Sequence, residues 1–186
     1  MATALLVIDM QVFFAGPGTP VLPRINGLIT HFHSTANPVV YTQHGHTPAQ
    51  LAGHQVSQLV RFWGAAHSIP RFSAAWELLP ALTRAAKDDV LVQDKDTYDA
   101  FLHTGLEEVL RGRGVTRVLV TGVLTNFCCE TTARSAFNRG FETWVISDAC
   151  GANDLTMHAG ALRALSAGFG EVITAEEAIE RLSAEV

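Results

Sequence analysis

Short apolar segments recur along the chain without regular alternation between apolar and polar positions. Six of them predict strands, at residues 4–8, 38–42, 89–92, 117–121, 142–147 and 171–174. A continuous apolar run is typical of a parallel strand that is covered on both faces, whereas a half-exposed strand alternates. These segments therefore predict a buried, mainly parallel sheet.

Helical patterns lie between the predicted strands. Apolar positions with helical spacing predict helices over residues 22–32, 105–111, 130–139, 155–167 and 175–182. Gly140 follows the third of these at the position where glycine commonly ends a helix. Because strands alternate with helices, we expect an α/β fold with an open sheet between two helical layers. A length of 186 residues predicts one domain spanning residues 1–186.

Composition and charge narrow the class of partner. Hydrophobic residues make up 48% of the chain, charged residues 17%, and the net charge is −5 without a basic cluster. These values argue against nucleic acid or an anionic membrane as the main partner. No apolar run reaches the ~20 residues of a membrane span. Three cysteines, two of them adjacent, do not suggest a disulfide framework, so we expect a cytoplasmic protein with a small-molecule partner.

Three reactive residues of different types follow predicted strands. Asp9 ends the first strand, Lys95 follows the third, and Cys128 comes after the fourth, where a helix begins. Ligands of open α/β sheets bind at the carboxyl ends of the strands, so these side chains are candidates for one site. A thiol at a helix N-terminus is expected to have a lowered pKa.

Each of these residues also has a purely structural interpretation. Asp9 could cap a helix or form a structural ion pair, and Lys95 could belong to a solvated run of charges. Cys128 could be a buried core cysteine, the interpretation that we favour for Cys129 and Cys150.

Five ordered parts of the chain carry a wider pattern. They are the first strand at 5–11 with Phe14, the second strand at 38–43, a lysine motif of Lys95, Tyr98, Ala100, Phe101 and Thr104, a nucleophile motif at 120–136, and closing segments at 147–149 and 158–165. Together they resemble the isochorismatase-like cysteine hydrolases, which include nicotinamidases, N-carbamoylsarcosine amidase and ureidoacrylate amidohydrolases.

The resemblance implies a fold, a set of site residues and an activity. It implies a three-layer αβα fold with a six-stranded, mainly parallel open sheet of Rossmann-like topology, and a catalytic triad of Asp9, Lys95 and Cys128. It also implies a cis peptide at Val123-Leu124 and an oxyanion hole formed by the backbone N–H groups of Leu124 and Cys128. The implied activity is hydrolysis of a C–N bond through a thioester on Cys128, without a cofactor, in a dimer or tetramer.

The irregular stretch at 43–75 departs from the pattern of nicotinamidases. Those enzymes bind a divalent metal through an Asp-x-His pair after the second strand, where this chain has His44 and His46. His44, His46 and His67 are the candidate metal ligands, and His54 lies in the same stretch. Histidines clustered in a loop are more often polar loop residues, so we expect no metal.

Aromatic residues near the motifs predict the substrate pocket. We expect Phe14, Trp63, Trp76, Tyr98 and Phe127 to form its wall. Few charges are available there, since only Arg61 and Arg71 are candidates for holding an anion, and this predicts a neutral, partly apolar amide.

Two other hypotheses remain beside the amidohydrolase. One is an isochorismatase or another non-amide hydrolase of the same fold. The other is a non-catalytic binding or assembly protein.

Overall fold

A computed structural model describes residues 2–52, 56–82 and 89–185, so the predicted loop residue His54 lies outside the described residues. All six predicted strands are present: β1 (Thr3–Ile8), β2 (Val39–Thr42), β3 (Val90–Val92), β4 (Arg117–Val123), β5 (Glu142–Gly151) and β6 (Glu171–Ile173). They form one parallel sheet in the order β3-β2-β1-β4-β5-β6. The predicted open α/β sheet is confirmed, although β5 continues to Gly151, beyond its predicted end.

Helices connect the strands and cover the sheet. They are α1 (Ala15–Gly18), α2 (Leu22–Ser34), α3 (Pro48–Leu51), α4 (Gln58–Trp63), α5 (Leu106–Gly112), α6 (Glu130–Asn138), α7 (Leu155–Ser166) and α8 (Ala175–Ala184). The five predicted helices are confirmed with shifts of a few residues at their ends. We did not predict α1, α3 and α4, because helices of 4 to 6 residues are too short to show a helical period.

Alternate residues of β1 pack into two separate hydrophobic clusters, one on each face of the sheet. Leu5 and Val7 belong to the cluster that α2 and α8 cover. Leu6 and Ile8 belong to the cluster that α5 and α6 cover. All four side chains are fully buried, as the continuous apolar run predicts for a central parallel strand.

The strand order changes direction between β1 and β4, and this places the two central strands beside the candidate site. The residues pair in register from Thr3 with Arg117 to Ile8 with Gly122. Loops that leave neighbouring strands in opposite directions open a crevice at the carboxyl edge of the sheet. Asp9 follows β1 at this edge, with a left-handed backbone (φ +49°).

No helix in residues 2–52, 56–82 and 89–185 is long and apolar enough to cross a membrane.

Gly122 provides a test of the packing between the two central strands. Its φ is +107°, and a Cβ atom added there would lie 2.1 Å from the carbonyl oxygen of Ile8. We expect Gly122→Ala to lower the free energy of unfolding by on the order of 3 kcal/mol, through strain and overlap with backbone. The measurement is urea denaturation followed by circular dichroism.

Gly27 provides the matched control. It is exposed on α2, and no atom lies within 4 Å of an added Cβ. We expect Gly27→Ala to raise the free energy of unfolding by about 0.5–1 kcal/mol. A Gly122→Ala protein as stable as the wild type would contradict the close strand packing described here.

Candidate active site

The three predicted site residues lie together at the carboxyl edge of the sheet. Lys95 Nζ donates a hydrogen bond to Asp9 Oδ2 at 2.6 Å and lies 3.3 Å from Cys128 Sγ. Asp9 and Lys95 are fully buried, and the side chain of Cys128 is nearly so. Lys95 is therefore not part of a solvated run of charges. The sheet brings together residues that are 86 and 33 positions apart.

Thr42 completes the immediate surroundings of Asp9, and sequence reasoning missed it. Its hydroxyl donates to Asp9 Oδ1 at 2.6 Å, and Thr42 Oγ1 also accepts a hydrogen bond from the backbone N–H of Asp9 at 3.1 Å. Thr42 is the last residue of β2, which pairs directly with β1. Its position at the end of a neighbouring parallel strand was the available clue.

Charge pairing determines the protonation of this buried cluster. Burial alone would raise the pKa of Asp9, but the charge of Lys95 and hydrogen bonds from Lys95 and Thr42 hold that pKa below its usual value. Burial would likewise lower the pKa of Lys95, yet Asp9 and Cys128 raise it above its ordinary value. At neutral pH Asp9 is therefore a carboxylate and Lys95 an ammonium ion.

Cys128 differs from the prediction of a lowered pKa. Burial raises the pKa of its thiol to about 12; the Lys95 charge opposes this rise, and the neighbouring Asp9 carboxylate adds to it. The prediction was wrong because burial, which disfavours the charged thiolate, outweighs the charge of Lys95. In the resting site Cys128 is a thiol that needs a base.

Cys128 lies in a tight turn between β4 and α6. The peptide bond Val123-Leu124 is cis, as the resemblance implies. Residues Thr125–Cys129 form one π-helical turn, in which the N–H groups of Phe127 and Cys129 both donate to the carbonyl of Leu124 at 3.1 Å. The use of the Leu124 and Cys128 N–H groups as an oxyanion hole stays a prediction.

Cys129 and Cys150 are buried free thiols, as predicted for core cysteines.

A cavity of about 320 Å³ lies next to Cys128. Four of the predicted pocket residues line it: Phe14, Trp63, Tyr98 and Phe127. Sequence reasoning missed further lining residues that belong to irregular segments or short helices, namely Phe13, Leu59, Ser68, Ile69 and Asn153.

Three aromatic residues form a connected wall. The rings of Tyr98 and Phe127 stack with centroids 5.2 Å apart and planes 17° apart. Trp63 meets Phe127 edge to face at 6.0 Å, and its Nε1–H donates to the hydroxyl of Tyr98 at 2.7 Å. The wall joins α4 to the turn Thr125–Cys129, called the nucleophile turn below, and to the segment that follows Lys95.

Trp76, the fifth predicted pocket residue, is not among the residues that line the cavity. Its side chain is buried, and an added Cβ on Gly45 would lie 2.6 Å from its ring. The backbone carbonyl of Trp76 accepts hydrogen bonds from the side-chain amides of Gln11 at 2.7 Å and Gln43 at 2.9 Å. Trp76 therefore packs outside the cavity, and its carbonyl oxygen connects the segments that contain Gln11 and Gln43.

The three candidate metal ligands, His44, His46 and His67, all line the cavity. The rings of His44 and His46 pack edge to face with centroids 4.9 Å apart. Burial, together with the nearby Lys95 charge, lowers the pKa of His44 to about 3, so the ring is neutral at neutral pH. In the part of the chain that the structure describes, no three His, Cys, Asp or Glu residues are arranged to hold a metal ion.

The described lining of the cavity contains no carboxylate, ammonium or guanidinium group. None of the described residues that line it is Asp, Glu, Lys or Arg. Arg71, a candidate for anion binding, donates instead to the carbonyls of Gly45 at 3.1 Å and Asp94 at 2.6 Å. Arg61 lies on α4 and is not among the lining residues.

Comparison with known proteins identifies the family. The model of the isochorismatase domain matches residues 3–177 of the chain. The chain belongs to the isochorismatase family. The predicted family resemblance is thereby confirmed.

Similar proteins include named amide hydrolases. The chain is 32% identical to nicotinamidase 3 of Arabidopsis thaliana over 94% of this chain and 85% of the relative. It is 32% identical to the ureidoacrylate amidohydrolase of Methylobacterium radiotolerans over 91% of this chain and 75% of the relative. A crystal structure of a cysteine hydrolase from Pseudomonas syringae pv. phaseolicola matches with a TM-score of 0.91 and 28% identity, covering 100% of this chain and 94% of that chain.

The charges of the site predict that the substitution Asp9→Asn makes the Cys128 thiol easier to deprotonate. In the wild type, a Cys128 thiolate would add a second negative charge beside a neutral Asp9–Lys95 pair. In the variant it would instead neutralise an unpaired Lys95. We therefore expect the pH midpoint of Cys128 alkylation by iodoacetamide to fall by about 1–3 pH units. The measurement is site-resolved peptide mass spectrometry, with Cys129 and Cys150 as internal controls.

Asp94→Asn removes the same charge from an exposed residue next to Lys95. This control should leave the midpoint close to the wild-type value. An unchanged or higher midpoint in Asp9→Asn would show that Asp9 does not govern the protonation of Cys128.

Proposed function

We propose that this protein is a cysteine-dependent hydrolase of a C–N (amide) bond in a small molecule. Cys128 is the nucleophile, Asp9 is the general base and acid, and Lys95 stabilises charge. The observation that carries the proposal is the buried Asp9–Lys95 ion pair in contact with a thiol that lines a largely aromatic cavity. The amide-hydrolase names of the similar proteins support it.

The first half of the reaction forms a thioester. As the Sγ atom of Cys128 bonds to the amide carbonyl carbon, its proton passes to Asp9, which is a carboxylate because Lys95 and Thr42 stabilise that form. The carbonyl oxygen becomes an oxyanion held by the N–H groups of Leu124 and Cys128. The C–N bond then breaks as Asp9 returns the proton to the leaving nitrogen, which departs as ammonia or an amine.

The second half releases the acid. Asp9 accepts a proton from a water molecule whose oxygen attacks the thioester carbonyl. The C–S bond breaks, the carboxylic acid forms, and the proton on Asp9 returns to Cys128. Lys95 remains protonated throughout, and its fixed charge lies within 3.3 Å of the sulfur that gains and loses negative charge.

The lining of the cavity supports a neutral, partly apolar amide as the substrate. Its wall is largely aromatic, and none of the described lining residues is Lys or Arg, the usual partners of a carboxylate. An unpaired anion moved into such a site would lose hydration without compensation.

Dimer or tetramer formation and a cytoplasmic location stay proposals that rest on the resemblance and on cysteine usage.

Product analysis separates the proposal from an isochorismatase activity. We expect the wild type to release ammonia from at least one member of a panel of neutral primary amides, measured by a coupled glutamate dehydrogenase assay. We expect Cys128→Ala to lose roughly 10³-fold or more in kcat/KM, because the covalent route is removed. Cys129→Ala is the matched control and should keep activity within a few-fold.

Pyruvate release from isochorismate, without ammonia from any amide, would favour the isochorismatase hypothesis. Absence of both products, with an alkylation-resistant Cys128, would favour a binding protein.

The acid limb of the pH profile tests the role of Asp9. Because the pKa of Asp9 lies below 3.8, its base form should persist down to about pH 4, and kcat/KM should fall only below that. Thr42→Val removes a hydrogen bond that stabilises the carboxylate, so the acid limb should move up by about 1 pH unit. Thr42→Ser keeps the hydroxyl and should keep the wild-type limb. An acid limb that stays in place in Thr42→Val would contradict Asp9 as the titrating base.

A further inference from the structure

We propose that His158 is a positioning residue for the nucleophile turn and acts through Thr125. The inference rests on the proposed function and extends it to a residue outside the substrate cavity. The inference is based on a hydrogen bond of 2.9 Å between Thr125 Oγ1 and His158 Nδ1. This bond joins residues that are 33 positions apart.

Thr125 is the first residue of the turn that carries Cys128, and it is fully buried. The backbone hydrogen bonds described for this turn are local: Phe127 and Cys129 donate to Leu124, and Glu130 donates to Phe127 and Thr125. Such bonds shape the turn but do not orient it relative to the rest of the protein. Phe127 and Cys128 contact the cavity wall and Lys95, and the side chain of Thr125 ties the start of the turn to α7.

Helix α7 is well anchored as a reference for that contact. Asp154 caps it by accepting hydrogen bonds from the N–H groups of Thr156 at 2.7 Å and Met157 at 2.9 Å. Leu165 of the same helix is fully buried in the core. A histidine on the first turns of such a helix therefore holds its ring nitrogen at a defined point.

A second contact runs beside the first. The amide Nδ2 of Asn126 lies 3.5 Å from Met157 Sδ, so two successive residues of the turn contact two successive residues of α7. The polar Thr125–His158 bond is the stronger of the two contacts, because thioether sulfur is a weak acceptor.

His158 is separate from the substrate. It does not belong to the lining of the cavity beside Cys128 and instead lines a second cavity of about 360 Å³ with Cys150 and Gly151. Its effect must therefore pass through Thr125 to Cys128 and to the proposed oxyanion donors on the same turn. A shift of these groups by about 0.5 Å is enough to impair catalysis.

A double-mutant cycle tests the inference with Thr125→Val, His158→Phe and the double variant. Using the best amide of the panel, we expect each single change to lower kcat about 5- to 10-fold, with KM within about two-fold of wild type. The double variant should lose no more than the worse single variant, because both remove the same bond.

Conservative variants separate positioning from general packing. Thr125→Ser keeps the hydroxyl, and His158→Asn places a polar amide near the position of Nδ1, so both should recover most of kcat. His31→Phe, on α2 and outside the lining of both cavities, is the matched control and should not change kcat.

Hydrogen exchange gives a readout that needs no substrate. Mass spectrometry of a peptide covering residues 124–130 should show faster deuterium uptake in Thr125→Val and in His158→Phe, with no further increase in the double variant. Unchanged exchange, or wild-type kcat in both single variants, would overturn the inference. So would single losses that multiply in the double variant. If the wild type itself hydrolyses no amide, the proposed function fails, and exchange alone then decides the contact.

Discussion

The buried ion pair between Asp9 and Lys95 is the interaction on which the candidate site depends. An ammonium ion and a carboxylate with no exposed surface are costly to desolvate, and each is tolerated because the other lies 2.6 Å away. Removing one partner would leave an uncompensated buried charge, which typically costs about 3–5 kcal/mol. The pair therefore constrains the strand ends as well as the chemistry, because β1 and the segment after β3 must meet at this point.

The same ion pair also influences the protonation of the Cys128 thiol. Lys95 favours a thiolate, Asp9 disfavours it, and burial adds to the effect of Asp9, so Cys128 stays protonated until a substrate arrives. In the proposed mechanism, Asp9 as the base removes the need for a standing thiolate on Cys128, which oxidants would attack. The proposed site thus combines a protonated thiol with a carboxylate whose pKa is kept low.

Different elements of the fold supply different parts of the surroundings of Asp9, Lys95 and Cys128. Close packing of β1 against β4 at Gly122 sets the spacing of the central strands, and Thr42 of β2 holds the carboxylate of Asp9. The cavity wall comes from elements outside the sheet, chiefly the aromatic contacts of Trp63, Tyr98 and Phe127. Under the proposed function, substrate selectivity can therefore change through these wall residues while the strand ends keep Asp9 and Lys95 in place.

The sequence by itself determined the layered α/β fold, because each central strand is continuously apolar and each long helix has a periodic apolar face. It also placed Asp9, Lys95 and Cys128 at one edge, since the carboxyl ends of parallel strands share that edge. Only the tertiary structure decided the pKa direction of Cys128, the exclusion of Trp76 from the cavity, and the partners Thr42 and His158. These depend on burial and on contacts between residues more than 30 positions apart, such as the 33 between Thr125 and His158. Local pattern carries no information about which side chain fills the space beside another, and at this site that information sets the chemistry.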